Sequence, residues 1–284
     1  METAVRPAAV AGMFYPGSPA ALSSAVKAYL AEAAQRGSAA DRLPKALIVP
    51  HAGYVYSGPV AARAYRRIAS GRGHLRRVVL LGPVHRVPIR GLALPAARSF
   101  ETPLGTLAVD EEAAARALAL PQVRVSEAAH ALEHSLEVQL PFLQALLGSF
   151  TIVPLTVGDA SEEEVAAVIE TLWGGPETLI VVSSDLSHYH PYAAARAIDR
   201  RTADAILGLD PPLDHEQACG ATPINGFALC ARHHGLEPEL LDLRNSGDTA
   251  GDRSRVVGYA AFAFTARKGA GRPDAAAIAG RSDG

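Results

Sequence analysis

Cysteine is scarce in this chain: its 284 residues include two, Cys219 and Cys230. So few thiols exclude a disulfide framework and make a reducing compartment the expectation. Charge of one sign is also missing. The 27 basic residues are matched by 29 acidic ones, for a formal net charge of -2. That balance excludes the field needed to hold nucleic acid or an anionic membrane. The basic pairs Arg76-Arg77 and Arg200-Arg201 are short and flanked by apolar residues, as solvated faces are. No apolar run reaches the roughly 18 residues of a membrane span. The opening METAVRPAAVAGMFYPG has no charged n-region followed by an apolar h-region. No secretory signal is therefore expected, and the expected location is the cytoplasm. Phosphate-cradling glycine loops are absent, since Gly82-Pro83 fits neither the Walker nor the dinucleotide pattern. No nucleophile elbow occurs.

Hydrophobic residues make up 49% of the chain, enough for a sizeable core. Four short runs read as buried strands: Ala46–Val49, Arg77–Leu81, Thr151–Val157 and Thr178–Val182. Each is rich in Val, Ile or Leu without strict alternation, the pattern of strands covered on both faces. Between them lie helical stretches. One runs from Ser18-Pro19 to Gln35, with an N-cap and a proline at its first position. Others cover Val60–Ala69, Glu111–Ala119, His134–Leu147, Tyr192–Leu207 and Pro223–His234. A further helix is capped by Ser161, with Glu164 completing a capping box. Residues 91–110 read as a hairpin-like excursion, and Leu240–Leu243 and Val256–Thr265 as closing strands. Alternating strands and helices predict an α/β fold: a single domain over residues 1–266 with a mostly parallel central sheet flanked by helices. Residues 267–284 read as a disordered tail.

The polar residues fall in a pattern. Pro50-His51-Ala52-Gly53-Tyr54 follows the first strand. Gly82-Pro83-Val84-His85 follows the second, and Ser183-Ser184-Asp185-Leu186-Ser187-His188 follows the run at 178–182. In open parallel sheets ligands bind outside the C-terminal strand ends. Parallel strands would bring His51, His85, Asp185 and His188 to one edge. Imidazole and carboxylate together suit Zn, Fe, Cu or general acid/base chemistry. The spacings are too long for a local zinc-finger-type motif.

Two more segments carry candidate chemistry. In Glu133-His134-Ser135-Leu136-Glu137, a helix would set His134 and Glu137 on one face and Glu133 and Glu137 on another. The acidic residues there suit either a helix start or a role supporting or facing a substrate. Cys219 sits in a glycine-bearing turn before a helix, a place that lowers a thiol pKa. Cys230, inside the apolar helix, reads as a small core residue.

Taken together, these motifs resemble those of the Memo family, whose prokaryotic members are called AmmeMemoRadiSam system protein B. The resemblance runs from VRPAAVAGMFYPG through PHAGYVYSGPVAARAY, LLGPVHRVPIRGLAL, EHSLEVQLPFL, IVPLTVG, VVSSDLSHYH and ACGATPI to GYAAFAF, about residues 5–265. It implies a fold like that of class III extradiol dioxygenases, with nonheme Fe(II) at one end of the sheet. It also implies metal ligands His51, His85 and Cys219, with Asp185 and His188 beside them. A thiolate in place of the dioxygenase carboxylate suits Fe(II) or copper and is more easily oxidised. The family name implies AMMECR1-domain and radical SAM proteins as partners.

Three readings stay open on these residues. In the first, a metal-dependent, dioxygenase-like oxidoreductase uses His188 as acid/base, oriented by Asp185. Tyr54, Tyr56, Tyr189 and Glu137 would line its pocket around a small-molecule substrate. In the second, the same cleft is a non-catalytic metal- or peptide-binding module. In the third, His188 or Glu137 activates water in a metal-dependent hydrolase.

Overall fold

The computed structural model describes residues 5–35, 42–210 and 212–267. The tail expected from residue 267 lies, Arg267 apart, outside them. Helix α1 (Pro19–Gln35) leads into β1 (Ala46–Val49), α2 (Tyr54–Arg66) and β2 (Arg77–Pro83). Strand β3 (Leu92–Leu94) and a hairpin of β4 (Ser99–Thr102) and β5 (Gly105–Ala108) come next. They are followed by α3 (Glu111–Leu118), β6 (Val123–Val125) and α4 (Glu127–Ala131). Then come α5 (Leu140–Leu146), β7 (Thr151–Val157), α6 (Glu162–Leu172), β8 (Thr178–Ser183) and β9 (His188–His190). The chain closes with α7 (Tyr192–Gly208), α8 (Ala221–His233), β10 (Leu236–Asn245), α9 (Ser246–Thr249) and β11 (Val256–Ala266).

One sheet runs in the order β10-β11-β1-β8-β2-β7-β3-β6, with β9 added to β11. The central strands β1, β8, β2 and β7 are parallel. Antiparallel pairs, β10–β11, β11–β1 and β3–β7, flank them. Side chains alternate between two cores, as the period of a strand requires. Leu47, Val49, Val78 and Leu80 pack with residues of α1, α2 and α5 such as Val26, Val60 and Phe142. Ala46, Ile48, Val79 and Leu81 pack on the other face with Val165, Ala203 and Phe227 of α6, α7 and α8. The fold is a single α/β domain with helices on both faces of the sheet. Among the described residues, no helix is long and apolar enough to cross a membrane.

Three local expectations need correction. Helix α2 starts at Tyr54, not Val60, and carries Pro59 inside it. Proline usually ends a helix. Here Ser57, Gly58, Val60 and Ala61 are all buried around it, so packing holds the turn together. Second, Leu92–Leu94 leaves the expected excursion and joins the main sheet. Third, no continuous helix covers residues 134–147. A turn at Glu133–Leu136 and a 3-10 turn at Glu137–Gln139 precede α5. The Glu133 side chain takes the N–H groups of His134 and Ser135 and so caps the turn itself.

Glu137 is therefore no cleft residue. It is fully buried and accepts from Arg6 Nη1 at 2.6 Å, the N–H groups of Ala9 and Val10, and the Tyr15 hydroxyl. Arg6 also donates to the carbonyls of His130 and Glu133. This ion pair pins the N-terminal segment onto the 130–137 turn. Tyr54 is buried too: its hydroxyl donates to Val138 O, and its ring packs on Phe142. Removing one partner of a buried ion pair leaves the other charge uncompensated. Glu137→Gln should lower stability by about 3–5 kcal/mol in urea unfolding; an unchanged midpoint would contradict this role.

Buried His130 bonds Ala93 O through Nε2. Burial lowers its pKa to about 4, helped by the Arg6 charge and opposed by the Ala93 bond and Glu133. The unfolded chain binds this proton near pH 6.5 and the native state does not. Stability is thus fully present above about pH 6.5 and declines as pH falls towards 4. In His130→Leu, urea midpoints measured across that window should lose part of their slope.

Candidate metal centre

The register of the parallel strands builds the site. Val49 lies opposite Ser183, and Leu81 opposite Val182, so β1, β8 and β2 end level. His51 and Asp185 each stand two residues beyond the paired Val49 and Ser183, and the His51 N–H donates to Asp185 Oδ1 at 2.7 Å. His85 stands two residues beyond Pro83, the last residue of β2. The His51 ring lies edge-on to those of His85 and His134, with centroids 5.2 and 5.3 Å away. His85 and His134 stack at 4.6 Å. Among the described residues, the donor atoms of these three histidines lie within 4.8 Å of one another.

Counting protons shows which nitrogens are free. Ser183 has one hydroxyl proton, and it goes to Ser135 O at 2.6 Å. Ser183 Oγ then accepts from Gln139 Nε2 and from His51 Nδ1, the latter at 2.9 Å. Gln139 is oriented by the Tyr65 hydroxyl, which donates to Oε1, and by Pro50 O, which accepts from Nε2. His51 thus carries its proton on Nδ1 and presents a bare Nε2. Burial, reinforced by the neighbouring histidines, drives its pKa well below the usual value and keeps the ring neutral.

Glu133 does the same for His85. Its carboxylate accepts the N–H groups of His85, His134 and Ser135 and lies 2.8 Å from His85 Nδ1. Burial raises its pKa, but the His85 contact and the backbone bonds outweigh this and bring it down to about 2. An ionised acceptor draws a His85 proton to Nδ1 and so turns Nε2 toward the cluster. His134 Nδ1 lies 3.3 Å from the same oxygen. Burial lowers the His134 pKa to about 4, against the pull of Glu133, so this ring too is neutral. Donor nitrogens of three histidines within 4.8 Å of one another, with the His51 and His134 rings held neutral, fit a single transition-metal ion.

Cys219 reaches the edge of this cluster. Its Sγ lies 3.4 Å from His51 Nε2, the bare nitrogen. Gly220 lets the turn lie on the end of β8: a Cβ there would stand 2.6 Å from Ser184 Cβ. The lowered thiol pKa expected from the helix start is not found. Burial pushes the thiol up to about 12, and the Asp185 charge adds to the rise. Asp185 is itself raised by burial, to about 6, against His188 and the His51 N–H.

His188 opens β9 and pairs with Val257. Together with His85 it borders two clefts. One, of about 760 Å³, is lined by Phe14, His51, Tyr56, His134, Tyr189 and Arg255 among others. The other, of about 790 Å³, is lined by Pro88, Ile89, His215, Cys219 and Thr222 among others. Tyr189 is exposed, adopts a left-handed φ of 62° and carries the Arg255 guanidinium over its ring. Of the expected residues, His51, His85, Asp185, His188, Cys219, Tyr56 and Tyr189 gather here; Tyr54 and Glu137 lie in the core. Sequence reasoning missed His134 as a cluster member, with Ser183 and Gln139 behind the rings, and left Glu133 between a helix start and a supporting role. The adjacent Glu133-His134 pair, polar among apolar neighbours, was the available signal.

A sequence model of the family described as Memo-like protein matches residues 6–263. A MEMO1 family protein of Ignicoccus hospitalis is 38% identical, covering 92% of this chain and 98% of its own length. One from Methanothermobacter thermautotrophicus is 36% identical, covering 90% and 99%. The crystal structure of uncharacterized protein JW3007 from Escherichia coli K12 superimposes with a TM-score of 0.54 at 14% identity, over 78% of this chain and 100% of that one. At that identity the likeness is one of fold.

Carboxylates that orient metal-binding histidines typically change affinity by about 10–100-fold when altered. Glu133→Gln should weaken binding of added Fe(II) by that range in a chelator competition while the far-UV circular dichroism stays native. Unchanged affinity would remove Glu133 from the site's support.

Proposed function

The chain belongs to the Memo family, and on its site geometry we propose a metal-binding, dioxygenase-like oxidoreductase holding one nonheme Fe(II), with copper as the alternative ion. The observation that carries this reading is the convergence of histidine donor nitrogens at level strand ends. His51 and His85 would be two of the ligands and Cys219 the third. The thiol already bonds the bare Nε2 of His51. A cation there would reverse the penalty that burial places on the thiolate. His134, within 4.8 Å of both other histidines, is the competing third donor.

A bound Fe(II) would supply open coordination positions and electron-transfer chemistry for oxygen and a small oxidisable substrate. The chain's own residues do the rest. His188, on the border of both clefts, exchanges a proton with the substrate through its ring. Asp185 acts on His188 by charge and on His51 by holding its backbone. Phe14, Tyr56 and Tyr189 form aromatic walls on the larger faces of a planar substrate. The exposed Tyr56 and Tyr189 at the rim, with Arg255, favour a second reading, a non-catalytic metal- and peptide-binding module working with AMMECR1-domain and radical SAM partners.

Elemental analysis after anaerobic purification tests the metal site. Wild type should carry about one iron or copper per chain, lost in His51→Ala and Cys219→Ala and kept in His134→Ala. Loss in His134→Ala with retention in Cys219→Ala would move the third ligand to His134. Wild-type protein that neither contains nor takes up Fe(II) or copper would overturn the proposal. Loaded protein that consumes no oxygen with any aromatic diol would favour the binding module.

A further inference from the structure

A second group of metal-type donors lies at the opposite edge of the sheet. Glu170 stands in the last turn of α6, His233 ends α8 and His234 caps it. Glu170 Oε1 lies 3.1 Å from His233 Nδ1, and Oε2 lies 2.8 Å from His234 Nε2. The donor atoms of the three residues fall within 4.8 Å of one another. The His234 ring is held flat against Trp173, with centroids 3.7 Å apart and planes 9° from parallel. Helices α6 and α8 approach closely at Gly226, where a Cβ would stand 2.5 Å from Val165 Cβ. Trp173 precedes β8 and Asp185 follows it. Six residues of strand separate the two groups by roughly 20 Å, so they are distinct.

The electrostatics favour a cation here. Both helices bring their C-terminal, negative dipole ends to the group. The Glu170 carboxylate adds a full negative charge between them. Two imidazoles and a carboxylate are a donor set of borderline divalent ions such as zinc(II). With ligand distances of about 2.0–2.2 Å, a tetrahedral ion needs neighbouring donors about 3.4 Å apart. The Glu170 contacts of 3.1 and 2.8 Å need open only slightly, an ion displaces the protons that the two nitrogens share with the carboxylate, and the 59% exposed His233 side chain leaves room on the solvent side. Cys230, one turn earlier on α8, donates its thiol to Ala166 O and also lies against the Glu170 carboxylate, which it helps to hold in place.

We propose that Glu170, His233 and His234 form a binding site for a divalent transition metal of the zinc(II) class that clamps the ends of α6 and α8 together, with water in the fourth position. The chain contains one tryptophan, Trp173. Its fluorescence therefore reports on this site and not on the His51 cluster. The full-length chain is titrated with copper(II), the tightest binder of the divalent series. Saturable quenching is expected, complete within two equivalents because the His51 cluster can also take copper, and zinc(II) added first should compete. His233→Ala and Glu170→Gln should each weaken the quenching by at least about tenfold with native circular dichroism, while His51→Ala keeps the full quenching and differs from wild type only by any copper that the His51 cluster no longer takes up. Absent or unsaturable quenching, failure of zinc(II) to compete, equal quenching in His233→Ala and Glu170→Gln, or its loss in His51→Ala would each overturn the proposal.

Discussion

Strands β1, β8 and β2 pair in parallel and end level, with Val49 opposite Ser183 and Leu81 opposite Val182. The loops that carry His51, His85, Asp185 and His188 leave from those ends. Because the register is set by buried Val, Ile and Leu on both faces, a slip by one residue would exchange the two cores. The loops inherit that constraint. His51 and Asp185 meet because the residues before them are paired, and the Cys219 turn joins them because Gly220 lets it rest on Ser184.

Behind the cluster lies a layer that decides protonation. Ser183 and Gln139 assign the proton of His51, and Glu133 assigns that of His85. The polar groups of this layer are buried and mutually bonded, so among the described residues the thiol of Cys219 is the hydrogen-bond partner that meets the inward nitrogen of His51. The Arg6–Glu137 pair supports the same turn from behind and seats Phe14 at the mouth of the cleft. Stability and site geometry are thus coupled through one short segment, residues 130–139.

The two donor groups differ in kind. At the C-terminal strand ends His51 is buried and held neutral, His134 is half-buried, His85 is exposed, and two clefts flank them, an arrangement suited to chemistry. The Glu170 group sits where two helices end and is partly exposed. An ion there would act on the packing of α6 against α8.

Much of this was legible in the sequence. Apolar runs without alternation marked the central strands, because a strand buried on both faces has no polar side to show. His51, His85, Asp185 and His188 were readable as a group, because parallel topology sends successive strand ends to one edge. Other features needed the tertiary structure. Helix α2 spans Pro59 because packing outweighs the missing hydrogen bond. Glu137 turned inward because Arg6, 131 residues away, supplied its counter-charge. His134 joined the cluster because Glu133 capped the turn and ended the helix expected there. The sequence by itself determined the fold class and which strand ends carry donors, since periodicity and strand order are local. Which of those donors converge, and which nitrogen each one offers, was decided by contacts between distant segments.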